Sequence, residues 1–281
     1  MAIDYPVILP HVMLNDTSAR GNIIGALGDL PIENAWIRAS GLGGDAGPLT
    51  LRRYLAPISA FHNLGKPIIA DHLGGVSVMA ALAFGTVSGV AQGVGERERF
   101  DAASWHKPPP VRSEDAEFGR AVRVGIPGLY RSATLNELAV LASTTPGRRL
   151  ISCGDRDCCL HGYDDMVSDP RRHAARQLFK AVSSLETGPD LRRESYFLDG
   201  PMADVERIAR QVRLLRPSPV EARKRNIDLA GLMSRFQQHS RRMERLLAML
   251  EALHQSRGDE GPRALPVQSR EPITRSKKDQ K

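Results

Sequence analysis

Short apolar runs alternate with helical stretches through the first two thirds of this chain. Ala35–Ser40 (AWIRAS) predicts a strand that closes on a glycine-rich loop, GLGGDAG. Thr50–Leu64 then places Leu51, Leu55, Ile58 and Phe61 at helical spacing. Pro67–Ala70 (PIIA) predicts the next strand, ending at Asp71 and His72. Val76–Phe84 reads as a helix of small residues and Thr86–Ala91 as a strand ending near Gly93. Val7–Leu14 is an earlier candidate strand. Arg149–Ser152 is a later one, with Cys153 directly behind it.

Strands alternating with helices imply βαβ units and a mostly parallel sheet. Short runs rich in Ile and Val fit strands covered on both faces. The expected fold class is α/β and TIM-barrel-like, whether a partial barrel, a barrel with strands the pattern does not reveal or an open doubly wound sheet, since five or six units are visible where a barrel needs eight. Residues 1–202 form this barrel-like domain. A polar, proline-rich insert at about 101–127 contains PPP at 108–110, and an insert of this length is a lid, a binding loop or a disordered segment. Asp169-Pro170 predicts a capped helix to about Leu185.

Residues 203–256 form a basic helical extension, with a short helix over Ala203–Leu215. Ser218-Pro219-Val220-Glu221 opens a long helix predicted to run to about Ser256. Along it Leu229, Met233, Phe236, Ser240, Met243, Leu247, Leu250 and His254 follow alternating spacings of four and three. That 229–254 seam serves either to pack on the domain's own flank or to contact a second copy or a partner subunit. Residues 257–281 read as a disordered basic tail.

The formal charge of +7 belongs to this C-terminal part. Residues 203–281 hold 18 Lys/Arg against 10 Asp/Glu, while residues 1–202 hold 21 against 22. Such an appendage either solubilises the chain or seeks an anionic partner, nucleic acid first among them. No membrane span is expected. Gly74–Gly95 is apolar, but its six glycines and two serines fit a helix and a strand better. With no export signal and three cysteines within seven positions, the protein is expected to be cytoplasmic, without structural disulfides.

Strand ends carry the chemistry in parallel α/β folds, which selects Arg38, Asp71, His72, Glu96 and Cys153. Asp71 suits a general base or nucleophile, and His72 its acid–base neighbour or a metal ligand. Arg38 can grip an anionic or planar group. The structural alternatives are that Asp71 caps a helix and that Arg38 only pairs with a carboxylate. GLGG at 41–44 and GVAQGVG at 89–95, with Gly93 and Gly95, could bring backbone amides to a phosphate or a planar base; tight turns explain them equally. Neither has a nucleotide-triphosphate pattern. The densest signal is Cys153-Gly-Asp-Arg-Asp-Cys158-Cys159-Leu-His161, followed by His173. Thiolates with an imidazole are what tetrahedral zinc prefers, so Cys153, Cys158 and Cys159 with His173, or alternatively His161, form a structural zinc candidate. Reduced core thiols and a redox pair stand as alternatives.

A barrel-like chain whose late strand leads into three cysteines and a histidine resembles the tRNA-guanine transglycosylases and their DNA-acting relatives. The resemblance covers residues 30–180. It implies a zinc-bearing TIM barrel that exchanges guanine for a deazaguanine base through an aspartate nucleophile. In that family a CxCxxC cluster and a later His bind the zinc, so Cys153, Cys158, Cys159 and His173 would be the matching ligands, with a CxxxxCC spacing that departs from the pattern. SGVAQGVGE at 88–96 is similar to the family's Glu-ended loop that helps read the base, which implies substrate contacts for Arg38, Gly93, Gly95 and Glu96. Asp71 takes the nucleophile's place by position only. The family's N-terminal strands have no counterpart here, which implies a shortened relative or one completed by a partner. The expected function is a transglycosylase-like protein acting on or binding nucleic acid. The alternatives are a non-catalytic nucleic-acid- or protein-binding component on a degenerate barrel, and a small-molecule barrel lyase or hydrolase.

Overall fold

The computed structural model describes residues 4–91, 99–107, 122–258 and 264–267. Its spine is a parallel sheet in which β1 (Asp4–Pro10), β2 (Asn34–Ser40), β3 (Ile68–Asp71) and β4 (Gly89–Ala91) lie side by side in chain order. The crossovers are α1 (Thr17–Gly28), α2 (Pro48–Ile58) and α3 (Gly75–Ala83). All four predicted early strands are present in the expected alternation, but the first gives way to a 3-10 turn over His11–Asn15 and the fourth is limited to Gly89–Ala91. β3 is buried along its whole length, as an all-apolar central strand must be, whereas β1 is exposed at most positions, as an edge strand is. β1 and β4 are the two edges. A closed barrel is not seen among the described residues, so the fold is mixed α/β with an open four-stranded parallel sheet.

The register places the site. Ile37 pairs with Ala70 and Ala70 with Val90, so Arg38 and Asp71 stand side by side where β2 and β3 end. Gly75 begins α3 at φ +60°, and a Cβ there would come within 3.1 Å of Gly44 Cα. Only glycine lets this turn lie against the GLGG loop. Every residue of α3 is buried, which explains its run of small apolar side chains.

Beyond the sheet, the end of the supposed insert is half of an antiparallel hairpin, β5 (Arg123–Ile126) with β6 (Arg131–Thr134). The chain continues through α4 (Leu135–Leu141), α5 (Thr145–Ile151), α6 (Tyr163–Ser168), α7 (Pro170–Glu186), α8 (Arg193–Phe197), α9 (Ala203–Arg213), α10 (Pro219–Lys224) and α11 (Leu229–Arg257). Two expectations are corrected. Arg149–Ser152 is not a strand: Thr144 accepts from Gly147 N–H and starts a helical turn that absorbs the short apolar run. The long C-terminal helix is two helices. Ser218 caps α10, but Asn226 turns left-handed at φ +52° and Ile227 N–H returns to Ala222 O at 2.9 Å, which ends it. Asp228 then caps α11 by accepting from Gly231 N–H. The helix at Asp169-Pro170 begins as expected, Asp169 accepting from Arg172 N–H.

The extension is also no appendage. α11 lies along α9 and α2, and its seam residues Phe236, Ser240, Met243 and Leu250 are buried in the core shared with the sheet. Glu194 accepts from Arg257 Nη1 (2.7 Å) and faces His254 Nδ1 (2.8 Å), pinning the far end of α11 to α8. Of the expected tail, residues 264–267 are described and Val267 lies beside β4: a Cβ on Gly89 would be 3.3 Å from Val267 Cγ2. The remainder of 259–281 lies outside the described residues, as does PPP at 108–110. No helix among the described residues is long and apolar enough to cross a membrane, and Gly75–Ala91 of the apolar stretch is α3 and β4.

Midway along α11, His239 donates from Nε2 to Leu129 O at 3.1 Å, so Nδ1 accepts from Arg242 Nη2. Burial, with Arg242 and Arg131 nearby, lowers its pKa to about 3 from an ordinary 6.5. The native ring stays neutral while the unfolded one takes a proton below about pH 6.5. This group therefore contributes stability that is full above that value and is lost as pH falls toward 3. Urea unfolding between pH 6 and 4 should show a slope of stability against pH about 1 kcal/mol per unit steeper in the wild type than in His239→Gln; parallel curves would count against a neutral buried ring.

Candidate functional site

Two arrangements stand out, one at the sheet's C-terminal end and one under the hairpin. At the sheet end Asp71 is nearly enclosed, its side chain 5% exposed. Arg38 donates to Oδ2 from Nε (2.7 Å) and from Nη2. His72 Nδ1 lies 2.7 Å from Oδ1. A carboxylate only accepts, so Nδ1 carries the proton and Nε2 is the ring's free lone pair. His72 sits at φ +56°, uncommon for a non-glycine residue, while its N–H still bonds Ala91 O at 2.9 Å. Strand pairing thus continues while the ring turns to the mouth. Asp71 does not cap α3, whose N-cap is Gly74 without a side-chain bond.

The mouth opens into a cleft of about 950 Å³, lined by Arg38, His72, Arg99, Phe100, Trp105 and Arg123 among others. Gly41 N–H donates to Phe100 O (2.9 Å) and Ala102 N–H to Ser40 Oγ (2.8 Å), which fasten this wall to the end of β2. The Arg38 guanidinium lies 5.1 Å from the centroid of Phe100, and Phe100 meets Trp105 edge-on at 5.3 Å. Trp105 is 63% exposed, a large apolar surface beside two cations. A planar ligand can stack here while arginine forks meet its polar edge.

Sequence reasoning found Arg38, Asp71 and His72, and the structure brings these together. With both oxygens engaged, Asp71 is placed to orient Arg38 and His72 rather than to attack, so the group facing the cleft is His72. Gly93, Gly95 and Glu96 lie outside the described residues. Phe100, Trp105 and Arg123 were missed. The signal for them was one of only two tryptophans standing in a polar loop.

The second arrangement joins the cysteines. Cys153 follows α5, and the 155–159 turn is closed by Cys158 and Cys159 N–H bonds to Asp155 O. His173 is in the first turn of α7. One ligand atom from each of Cys153, Cys158, Cys159 and His173 lies within 4.8 Å of all the others, and all four residues are buried. His173 Nδ1 is 3.4 Å from both the Cys158 and Cys159 sulfurs, which are 3.6 Å apart. On its other side the ring's Nε2 is 3.1 Å from Gly125 O of β5. Donation there fixes the proton on Nε2 and leaves the Nδ1 lone pair aimed at the sulfurs, as in histidines that bind metals. His161 is exposed on the outside of the turn, its N–H bonded to Asp165, and is not in the group. Burial pushes the Cys153 and Cys159 thiols up and holds the His173 ring below its usual range. This buried Cys3His group could hold a metal ion.

The same hairpin connects the two. Gly125 receives His173, while Arg123 and Ser132 line the cleft; Ser132 also lines a mainly apolar cavity of about 400 Å³ beside α7. Comparison with protein-family models, curated proteins and solved structures finds no significant match to this chain.

Protein purified without a histidine tag or chelator should carry about one metal ion per chain by mass spectrometry. Cys158→Ser and His173→Ala should lose it and His161→Ala should keep it. A metal-free wild type, or loss in His161→Ala alone, would refute the assignment.

Proposed function

We propose that this chain is a nucleobase-exchanging protein of the transglycosylase kind, acting on nucleic acid and held in shape by a structural zinc ion. The observation that carries the proposal is the Asp71–His72 pair at the end of a parallel sheet, facing an aromatic-walled, arginine-lined cleft. A base stacks against Phe100 and Trp105, and Arg38 reads its edge. His72 Nε2, in its protonated form, gives a proton to the departing base nitrogen as the bond to the sugar C1′ breaks. It takes a proton back as a nitrogen of the incoming base bonds to C1′. Asp71 holds the ring in the tautomer that makes this exchange possible. For Asp71 itself to attack C1′, it must first release Arg38 or His72. The exposed Arg223, Lys224, Arg241 and Arg245 on α10 and α11 supply a cationic surface for backbone phosphates.

Zinc is proposed for the Cys3His group because the ligands are soft, buried and four in number, which leaves no open position. An ion bound with bonds of about 2.3 Å to sulfur and about 2.1 Å to nitrogen would want sulfurs about 3.8 Å apart and sulfur about 3.6 Å from nitrogen. The separations of 3.6 and 3.4 Å among Cys158, Cys159 and His173 come close to this arrangement, and all four ligand atoms lie within 4.8 Å of one another. A barrel ancestry belongs to the same proposal: four parallel strands are half of the eight a barrel closes with.

One observation favours a second reading, binding without chemistry: Asp71 is satisfied on both oxygens and can serve purely to brace the cleft. Metal-replete protein should incorporate labelled guanine into RNA or DNA. His72→Ala should slow this by roughly 10²–10⁴-fold with metal content unchanged. No incorporation into either nucleic acid, with binding intact and unaltered in Asp71→Asn, would overturn exchange and leave the binding component.

A further inference from the structure

The mainly apolar cavity of about 400 Å³ between the β5–β6 hairpin, α7 and α8 plays no part in the proposed chemistry. Its walls include Met79 of α3, Ile126 and Pro127 of the hairpin, and Leu178 and Ala181 of α7. Two tyrosines interrupt this apolar lining, Tyr130 at the end of the hairpin turn and Tyr196 of α8. The turn is built to hold Tyr130 there. Leu129 is fully buried and its carbonyl accepts from His239 Nε2 at 3.1 Å, while Gly128 takes a left-handed φ of +69°. With those neighbours fixed, Tyr130 itself is held at φ +46°, which is rare for so bulky a residue. Strain of this kind collects at ligand sites. Neither phenol hydroxyl has a hydrogen-bond partner among the described residues. Burial, with Tyr196 nearby, raises the Tyr130 pKa to about 12, so its hydroxyl remains a proton donor at neutral pH. No acidic residue lines the cavity among the described residues; Arg131 and Lys180, which do line it, are cationic. Lys180 is bonded to Asp155 (2.8 Å), whereas Arg131, stacked on Phe236, has no salt-bridge partner among the described residues.

We infer that this cavity binds a small carboxylic acid with an apolar body, its carboxylate held by the Tyr130 and Tyr196 hydroxyls and its body against Met79, Leu178 and Ala181. An apolar cavity of this size with a few placed polar groups is the usual form of a small-molecule site. At about 30 Å³ for each water-sized group it holds roughly 13 non-hydrogen atoms. The lining sets the sign of the ligand's charge. A cation would meet Arg131 and Lys180 with no acid to offset them. A carboxylate only accepts, which suits two phenols that have donors to give, and such charge-assisted bonds are the stronger kind. The inference is independent of the exchange reading, although Ser132 lines this cavity and the cleft alike.

Calorimetric titration of metal-loaded protein with decanoate, decanol and decylamine tests this. Decanoate should bind most tightly, by about tenfold over decanol, and decylamine least. Tyr130→Phe keeps the ring and removes the hydroxyl; it should weaken decanoate by about tenfold and decanol by less. Ala181→Phe, which fills the cavity, should abolish the binding of both. Phe179→Ala, exposed on the same helix and outside the cavity, should bind as the wild type does. The unfolding temperature of each variant reports whether it folds, and the isosteric Tyr130→Phe carries the test by itself if Ala181→Phe does not. No decanoate binding, equal affinity for decanoate and decanol, or decanoate affinity unchanged in Tyr130→Phe would overturn the site. Binding lost in Phe179→Ala and kept in a folded Ala181→Phe would place the ligand on the outer surface and overturn it as well. None of these outcomes turns on guanine incorporation, so the site and the exchange reading stand or fall separately.

Discussion

The imidazole of His173 faces two ways, and three segments of the molecule meet at it. Nδ1 points at two cysteine sulfurs and Nε2 at the carbonyl of Gly125. The loop after α5, the start of α7 and the β5–β6 hairpin therefore meet at one ring. That hairpin is small, and two strands alone are marginal in water. It is kept in place by this bond, by the burial of Val124, Ile126 and Ala133, and by the pairing of Glu137 at its end with Arg235 of α11. A metal ion on the cysteines would lock the ring and, through it, the wall that presents Arg123 and Ser132 to the cleft. In this account the cysteine cluster supports a site that lies elsewhere.

Electrostatics on the two walls of the cleft differ in kind. On the sheet side Arg38 is neutralised by a buried carboxylate, and the same carboxylate orders His72. Charge there is balanced and pre-positioned. On the hairpin side Arg123 lines the cleft bonded only to the neutral Ser132, with no carboxylate paired to it among the described residues. Balanced groups beside stacked aromatics suit a neutral planar ligand, and unbalanced ones suit an anion.

Much of this was legible because the relevant signals are local. β2 and β3 are short apolar runs, and the polar residues that end them, Arg38 and Asp71, came together because parallel strands in register align their ends. Asp169-Pro170 marked α7 by capping alone, and the cysteine spacing marked a ligand group. The choice between His161 and His173 was not legible: chain distance does not say which ring faces inward, and here one lies on the outside of a tight turn while the other starts a packed helix. Arg149–Ser152 misled because a short run with two apolar residues, Leu150 and Ile151, fits a strand or a buried helical turn equally well. The break at Asn226 and the cap at Asp228 were overlooked because no Gly or Pro marks a stop between Lys224 and Ala230. The β5–β6 hairpin was hidden at the end of a long polar insert, although Pro127-Gly128 between two short runs is a turn signal. Trp105 in a polar loop was a local hint, but the wall it forms with Phe100 exists only once the loop folds back on β2, which is a tertiary fact.

The most direct measurement is hydrogen exchange of residues 123–134, compared between metal-loaded and chelator-treated protein. If His173 couples the cysteine cluster to the cleft, the hairpin amides lose protection on metal removal while those of β2 and β3 keep theirs. Hairpin amides equally protected in both forms, with the metal demonstrably gone, would contradict the coupling and leave the cysteine group and the cleft as independent features.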